Sequence, residues 1–170
     1  MFKIGCHKDN ELQEYVHPDL YHVEQSSGIE RVVMGLSKSH IDTVLELAAM
    51  FYEPFYIVYV LHTSHIDNES GRYQSKANSY SQVNTLFTNF KDFFENDSRH
   101  DVCLYSPQSN ATIVYDRHNF IYLYGFVDKQ LDSIQRKGLK QKAFTIPFPH
   151  VHCYHEEYDI YESKLINDFE

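Results

Sequence analysis

Six apolar residues, Val83, Leu86, Phe87, Phe90, Phe93 and Phe94, recur at three- and four-residue intervals. That period draws one stripe along a helix, with Ser79 or Ser81 as its cap and a sheet as the surface it packs on. Ile41, Val44, Leu45, Ala48 and Tyr52 repeat the pattern behind Ser39-x-x-Asp42, a capping-box signature, and Pro54 stops that helix. A third helix is predicted from about Asp128 to Lys137, with Val127, Leu131 and Ile134 inward and Gly138 as its stop. An acidic closing helix begins at Glu156, with Tyr158, Tyr161 and Leu165 on its buried side.

Between these lie shorter apolar runs. Leu20 to Val23 and Ile29 to Leu36 flank Gly28 and predict an opening hairpin. Phe55 to Leu61 is apolar on both faces and predicts a central, covered strand. Val102 to Ser106, Ala111 to Asp116 and Phe120 to Gly125 predict three strands in series, with Pro107-Gln108-Ser109-Asn110 turning between the first two. Ala143 to Ile146 reads as a last strand, ended by Pro147 and Pro149. Residues 62–78 are polar and read as one long structureless loop, of the functional or mobile kind, holding His62, His65, Arg72 and Lys76. The sum is an α+β fold over residues 1–170: a single domain, mainly an antiparallel sheet with a three-strand meander and helices packed against it.

Composition narrows this only a little. At 170 residues, 42% hydrophobic and 23% charged, the chain is long and apolar enough to bury a core unaided. No apolar run reaches the ~18 residues of a membrane span. The start, Met1 to Asp9, has no signal-peptide core, so the expectation is a cytoplasmic protein without a membrane partner. Cys6, Cys103 and Cys153 show no C-x-x-C spacing, which argues against a disulfide framework or a zinc ribbon. A net charge of -9 disfavours nucleic acid and favours cationic partners. Fourteen Tyr, twelve Phe and eleven His against no Trp are the unusual counts.

Two constellations could carry chemistry. Arg99-His100-Asp101 and Asp116-Arg117-His118-Asn119 flank one predicted hairpin. With Pro107 to Asn110 as the connection, Asp101 faces Asp116, His100 faces Arg117 and Arg99 faces His118. Two facing carboxylates repel unless cations sit with them, and the two Arg supply that charge. The cluster reads either as a charge-balanced network locking the strand ends or as a site with His100 or His118 as general base, held by Asp101 or Asp116. The second constellation is Pro147-Phe148-Pro149-His150-Val151-His152-Cys153-Tyr154-His155-Glu156-Glu157-Tyr158-Asp159. His150 and His152 share a face if extended, and His155 and Asp159 share one if helical. Such a donor set suits a divalent metal such as zinc; the alternative is a plain His-rich turn with no cofactor. No P-loop, G-x-G-x-x-G or G-x-S-x-G occurs. Phe120, Tyr122 and Tyr124 share one strand face, which reads as core packing or as an open aromatic surface for an apolar ligand.

Taken with Val114-Tyr115, Tyr122-Leu123-Tyr124-Gly125 and Pro149-His150-Val151-His152, these motifs give the second half of the chain a resemblance to small bacterial immunity proteins of interbacterial toxin systems. The resemblance implies a cytosolic inhibitor that binds and neutralises a cognate basic toxin, without carrying over any residue role. Contacts would then come from Arg99, Arg117, Glu156, Glu157, Tyr158 and Glu162, with the acidic last helix (also Asp159, Asp168 and Glu170) steering the encounter. The alternative is a metal-dependent or His/Asp acid–base hydrolase built from the same clusters.

Overall fold

A hairpin that no apolar alternation signals opens the fold: β1 (Ile4–Lys8) and β2 (Glu11–Glu14), turning through Asp9 and Asn10, both at positive φ. The computed structural model describes residues 1–169. Next comes the expected hairpin, β3 (Leu20–Ser26) and β4 (Ile29–Gly35). Its Ser27-Gly28 turn has φ of 52° and 80°, the double left-handed turn that matches strand twist.

Helix α1 (His40–Ala48) follows, yet its capping box is absent. Ser39 is left-handed and makes no side-chain cap; the Glu95 carboxylate instead accepts the Ile41 N–H at 2.7 Å. Tyr52, read as part of this helix, lies beyond it and is exposed. β5 (Tyr56–Leu61) sits one place from the sheet edge rather than at its centre, because β6 (Gly71–Gln74) pairs outside it. Residues 62–78 are therefore not structureless. Helix α2 (Tyr80–Asn89) has the reciprocal Ser79–Gln82 cap. The phenylalanine stripe then breaks at Phe90 and resumes in α3 (Lys91–Asn96).

The meander is β7 (His100–Ser106), β8 (Ala111–Tyr115) and β9 (Phe120–Tyr124), with Ser106 opposite Ala111 and Val102 opposite Tyr115, the register the four-residue turn requires. Helix α4 (Asp128–Arg136) ends before Gly138, whose φ of +90° favours glycine. Val127 points outward, not inward, and is exposed. The last strand is not at Ala143–Ile146: β10 (Lys140–Gln141) pairs parallel with β3, and β11 (Val151–His152) joins β1. A 3-10 turn (Glu156–Tyr158) leads into α5 (Asp159–Asn167).

The main sheet has the order β10-β3-β4-β9-β8-β7-β5-β6, and a small sheet β11-β1-β2 stands beside it. The strands alternate cleanly. Ile57, Tyr59, Leu104, Ile113 and Ile121 face a core to which all five helices contribute, through Ile41, Val83, Phe93, Ile134 and Leu165 among others. Each such side chain is worth about 1.5–3 kcal/mol of burial. The opposite face carries Tyr56, Val58, Val60, Cys103, Tyr122 and Tyr124. Part of it is crossed by the chain after β10, where Phe144 packs against His17, His22 and Phe120. Gly35 permits this: a Cβ there would lie 2.6 Å from Phe144 Cε2 and 3.0 Å from His17 Cβ. Gly35→Ala is expected to cost about 1–3 kcal/mol by overpacking, read as a fall in denaturant midpoint at unchanged m-value.

Candidate metal centre

The β8–β9 connection is built on Asp116. Its Oδ1 accepts the N–H of His118 (2.9 Å) and of Phe120 (2.8 Å), and its carbonyl accepts the Asn119 N–H (3.2 Å). Asn119 takes the left-handed position that ends the turn, and the Tyr115 hydroxyl donates to its Oδ1. His118 Nδ1 donates to Asp116 Oδ2 at 3.0 Å, and His17 Nε2 donates to the His118 carbonyl at 2.8 Å. The His118 ring is thus oriented by a carboxylate, which leaves Nε2 as its free nitrogen.

His150 and His152 are brought to it from the other side. Pairing of Ile4 with His152 and of Gly5 with Val151 fixes β11. Lys3, just before β1, reaches back with Nζ to the carbonyls of Asp116 and Phe94, each at 2.9 Å, and lies 3.9 Å from the Tyr115 ring centre. Lys3 is buried, and burial brings its pKa down to about 8. His150 Nδ1 donates to the Pro147 carbonyl at 3.0 Å, so its Nε2 is also free. His152 Nδ1 is buried without a hydrogen-bond partner among the described residues. Burial first, then the charges of His118, Arg117 and His150, lower the His152 pKa to about 4.

The three rings form a near-equilateral triangle, with centroids 4.8, 5.2 and 5.3 Å apart. One nitrogen from each lies within 4.8 Å of the others. Tetrahedral zinc with Zn–N bonds of about 2.0–2.1 Å needs nitrogens about 3.3 Å apart, so the rings would draw together by up to about 1.5 Å to hold it. Three imidazoles, one oriented by a carboxylate and one by a backbone carbonyl, match the donor set of a metal that keeps a fourth position for water.

The other expected residues go elsewhere. His155 Nε2 donates to the Phe2 carbonyl at 3.0 Å, and Asp159 pairs with Arg99 (2.8 Å) and His65 (3.4 Å), so neither joins the metal donors. The two triplets do meet at one strand end, but the facing carboxylates are not neutralised by Arg99. Asp101 accepts from His62 Nε2 (2.9 Å) and the Arg117 N–H (2.8 Å) on the open face. His100 falls on the core face, fully buried against Phe93, Phe94 and Tyr59, and burial holds its pKa far below the usual range. A general-base role for it has no access to a substrate. Arg99 is buried within Asp97, Asp159 and Glu162. Glu162 and Tyr158 are buried too, which removes Arg99, Tyr158 and Glu162 from any contact surface, whereas Glu156, Glu157 and Asp168 are exposed. Glu170 lies outside the described residues. Ser64 and Asn68 donate to Glu162, so the 62–78 segment is pinned to α5.

Fold and centre together define an α+β protein with a three-histidine cluster at one end of an open sheet face. Comparison with known proteins finds no matching family, no matching curated protein and no matching solved structure. Among the described residues no helix is long and apolar enough to cross a membrane.

Proposed function

We propose that the protein binds a divalent transition metal, zinc by its chemistry, at His118, His150 and His152, and uses it to activate a water for hydrolysis. The observation that carries this reading is the convergence of three imidazoles whose hydrogen bonds leave a nitrogen of each uncommitted. Three neutral donors leave the ion its full positive charge, which lowers the pKa of a bound water towards about 7. Asp116 acts through His118, orienting it and raising its basicity.

Titration of tag-free, metal-free protein with zinc is expected to show one site and a rise in melting temperature. His118→Ala removes that site. Asp116→Asn weakens it about 10- to 100-fold. Zinc binding by His118→Ala as tight as by the parent would end the proposal. Zinc-dependent turnover of 4-nitrophenyl acetate, rising with pH near 7, separates a hydrolytic centre from a purely structural one.

A second reading, binding of a basic protein, keeps as its support the net charge of -9 and the exposed Glu156 and Glu157. Its mark is an association rate that falls as salt rises.

A further inference from the structure

The open face of the main sheet holds a groove that the metal centre does not use. It has a volume of about 710 Å³, within the range of small-ligand sites. Its floor is apolar: Val58, Val60 and Cys103, walled by Tyr56, Tyr105 and Pro107. Cys103 contributes as a neutral, apolar thiol, since burial raises its pKa to about 11.

The ladder registers order this floor into rows. Arg72 pairs with Val60, and Val60 with Asp101; two residues along, Gln74 pairs with Val58, and Val58 with Cys103; two further, Tyr56 pairs with Tyr105. At about 3.4 Å per residue the groove runs roughly 14 Å from Arg72 to the two tyrosines. One end is cationic and the other aromatic. The acid in the Arg72 row, Asp101, is already engaged by His62 and by the Arg117 N–H. Arg72 has no ion pair among the described residues, whereas Arg31, Lys91, Arg99 and Lys137 each hold a carboxylate. In a chain with 24 acids and 15 bases, that leaves an available guanidinium at the head of an apolar channel.

We infer that the groove binds a small amphipathic carboxylate, with the anionic head on Arg72 and an apolar tail of about eight carbons lying along Val58 and Cys103 to Tyr105. Charge complementarity selects this occupant over a cationic protein segment, and the channel length sets the tail. The inference is independent of zinc at the histidine centre.

The test is a titration of the full chain with octanoate, followed by amide NMR, beside octylammonium and butyrate as probes. Octanoate is expected to move the resonances of Val58, Val60, Cys103 and Thr112 and to bind at least tenfold tighter than octylammonium. Arg72→Gln, a surface change, should abolish that preference. Tyr105→Ala should weaken octanoate severalfold and leave butyrate unchanged. The inference is overturned if octanoate leaves those resonances still at millimolar concentration, if octylammonium binds equally well, or if Arg72→Gln binds octanoate like the parent. It is also overturned if the ligand-free protein self-associates through these residues, which would make a second copy the occupant.

Discussion

Arg99→Met is expected to destabilise the protein by about 3–5 kcal/mol, the cost of stranding buried carboxylates. All five guanidinium N–H groups are in use. Nε and Nη2 hold the two oxygens of Asp97 at 2.8 and 3.0 Å, Nη1 holds Asp159 at 2.8 Å and Glu162 at 2.7 Å, and Nη2 also reaches the His155 carbonyl at 2.9 Å. Asp97 and Glu162 are 0% exposed. Removing the cation leaves both without a counter-charge, and α5 loses its ion-paired tether to the segment before β7. The Asp97 carboxylate also accepts the His155 N–H, so the turn into α5 loosens with it. Arg99→Lys should cost nearly as much, because an ammonium cannot reproduce the planar fork. Adding Asp97→Asn and Glu162→Gln to Arg99→Met should recover part of the loss, since neutral amides need no counter-charge. Chemical denaturation of the parent, single and triple variants measures this. A single variant within 1 kcal/mol of the parent would show that the network is not what holds α5.

The same residue shows where sequence reasoning runs out. Local chemistry was legible: the Pro107–Asn110 connection dictated the meander register, and Ser79 with Gln82 dictated the start of α2. Strand alternation then split the Arg99-His100-Asp101 triplet, sending His100 to the core and Asp101 to the open face. Arg99, which precedes β7, turned to α5, whose Asp159 and Glu162 lie some sixty positions away. The α1 cap failed for the same reason: Ser39 takes a left-handed backbone and its side chain caps nothing, while Glu95, more than fifty positions away, accepts the Ile41 N–H in the first turn.

Two of the three metal donors, His150 and His152, were visible as an alternating pair on an extended segment. Its joining to His118 was not, because that depends on β11 pairing with β1 and on Lys3 binding the Asp116 carbonyl. The β1 sequence, Ile-Gly-Cys-His-Lys, has no alternation that announces a strand. The Asp116-x-x-Asn119 turn did carry a signal, an Asx side chain followed by a residue tolerant of positive φ, and it is what aims His118.

Mild acid is expected to unfold the metal-free protein between pH 6.5 and 4. His40 is buried and stacked on Tyr115 at 5.4 Å between centroids, and burial, with Lys3 and His17 adding positive charge against the weaker pull of Asp19, lowers its pKa to about 3. His100 is depressed in the same direction by burial and by Lys3, Arg99 and His62. Both rings are neutral in the fold and take up protons more readily when unfolded, so stability is complete above the unfolded value near 6.5 and falls as pH drops towards the folded values. For His40 alone the loss reaches roughly 3 kcal/mol at pH 4. His100 adds a second loss in the same direction over the same range. Lys3 keeps its charge throughout this window, so the repulsion it exerts on both rings persists. Circular dichroism against pH should show one cooperative transition in the parent. In a His40→Phe, His100→Phe double variant, where the rings still fill their aromatic surroundings, the midpoint should move at least one pH unit lower. An unmoved midpoint would show that these two rings do not set the acid transition.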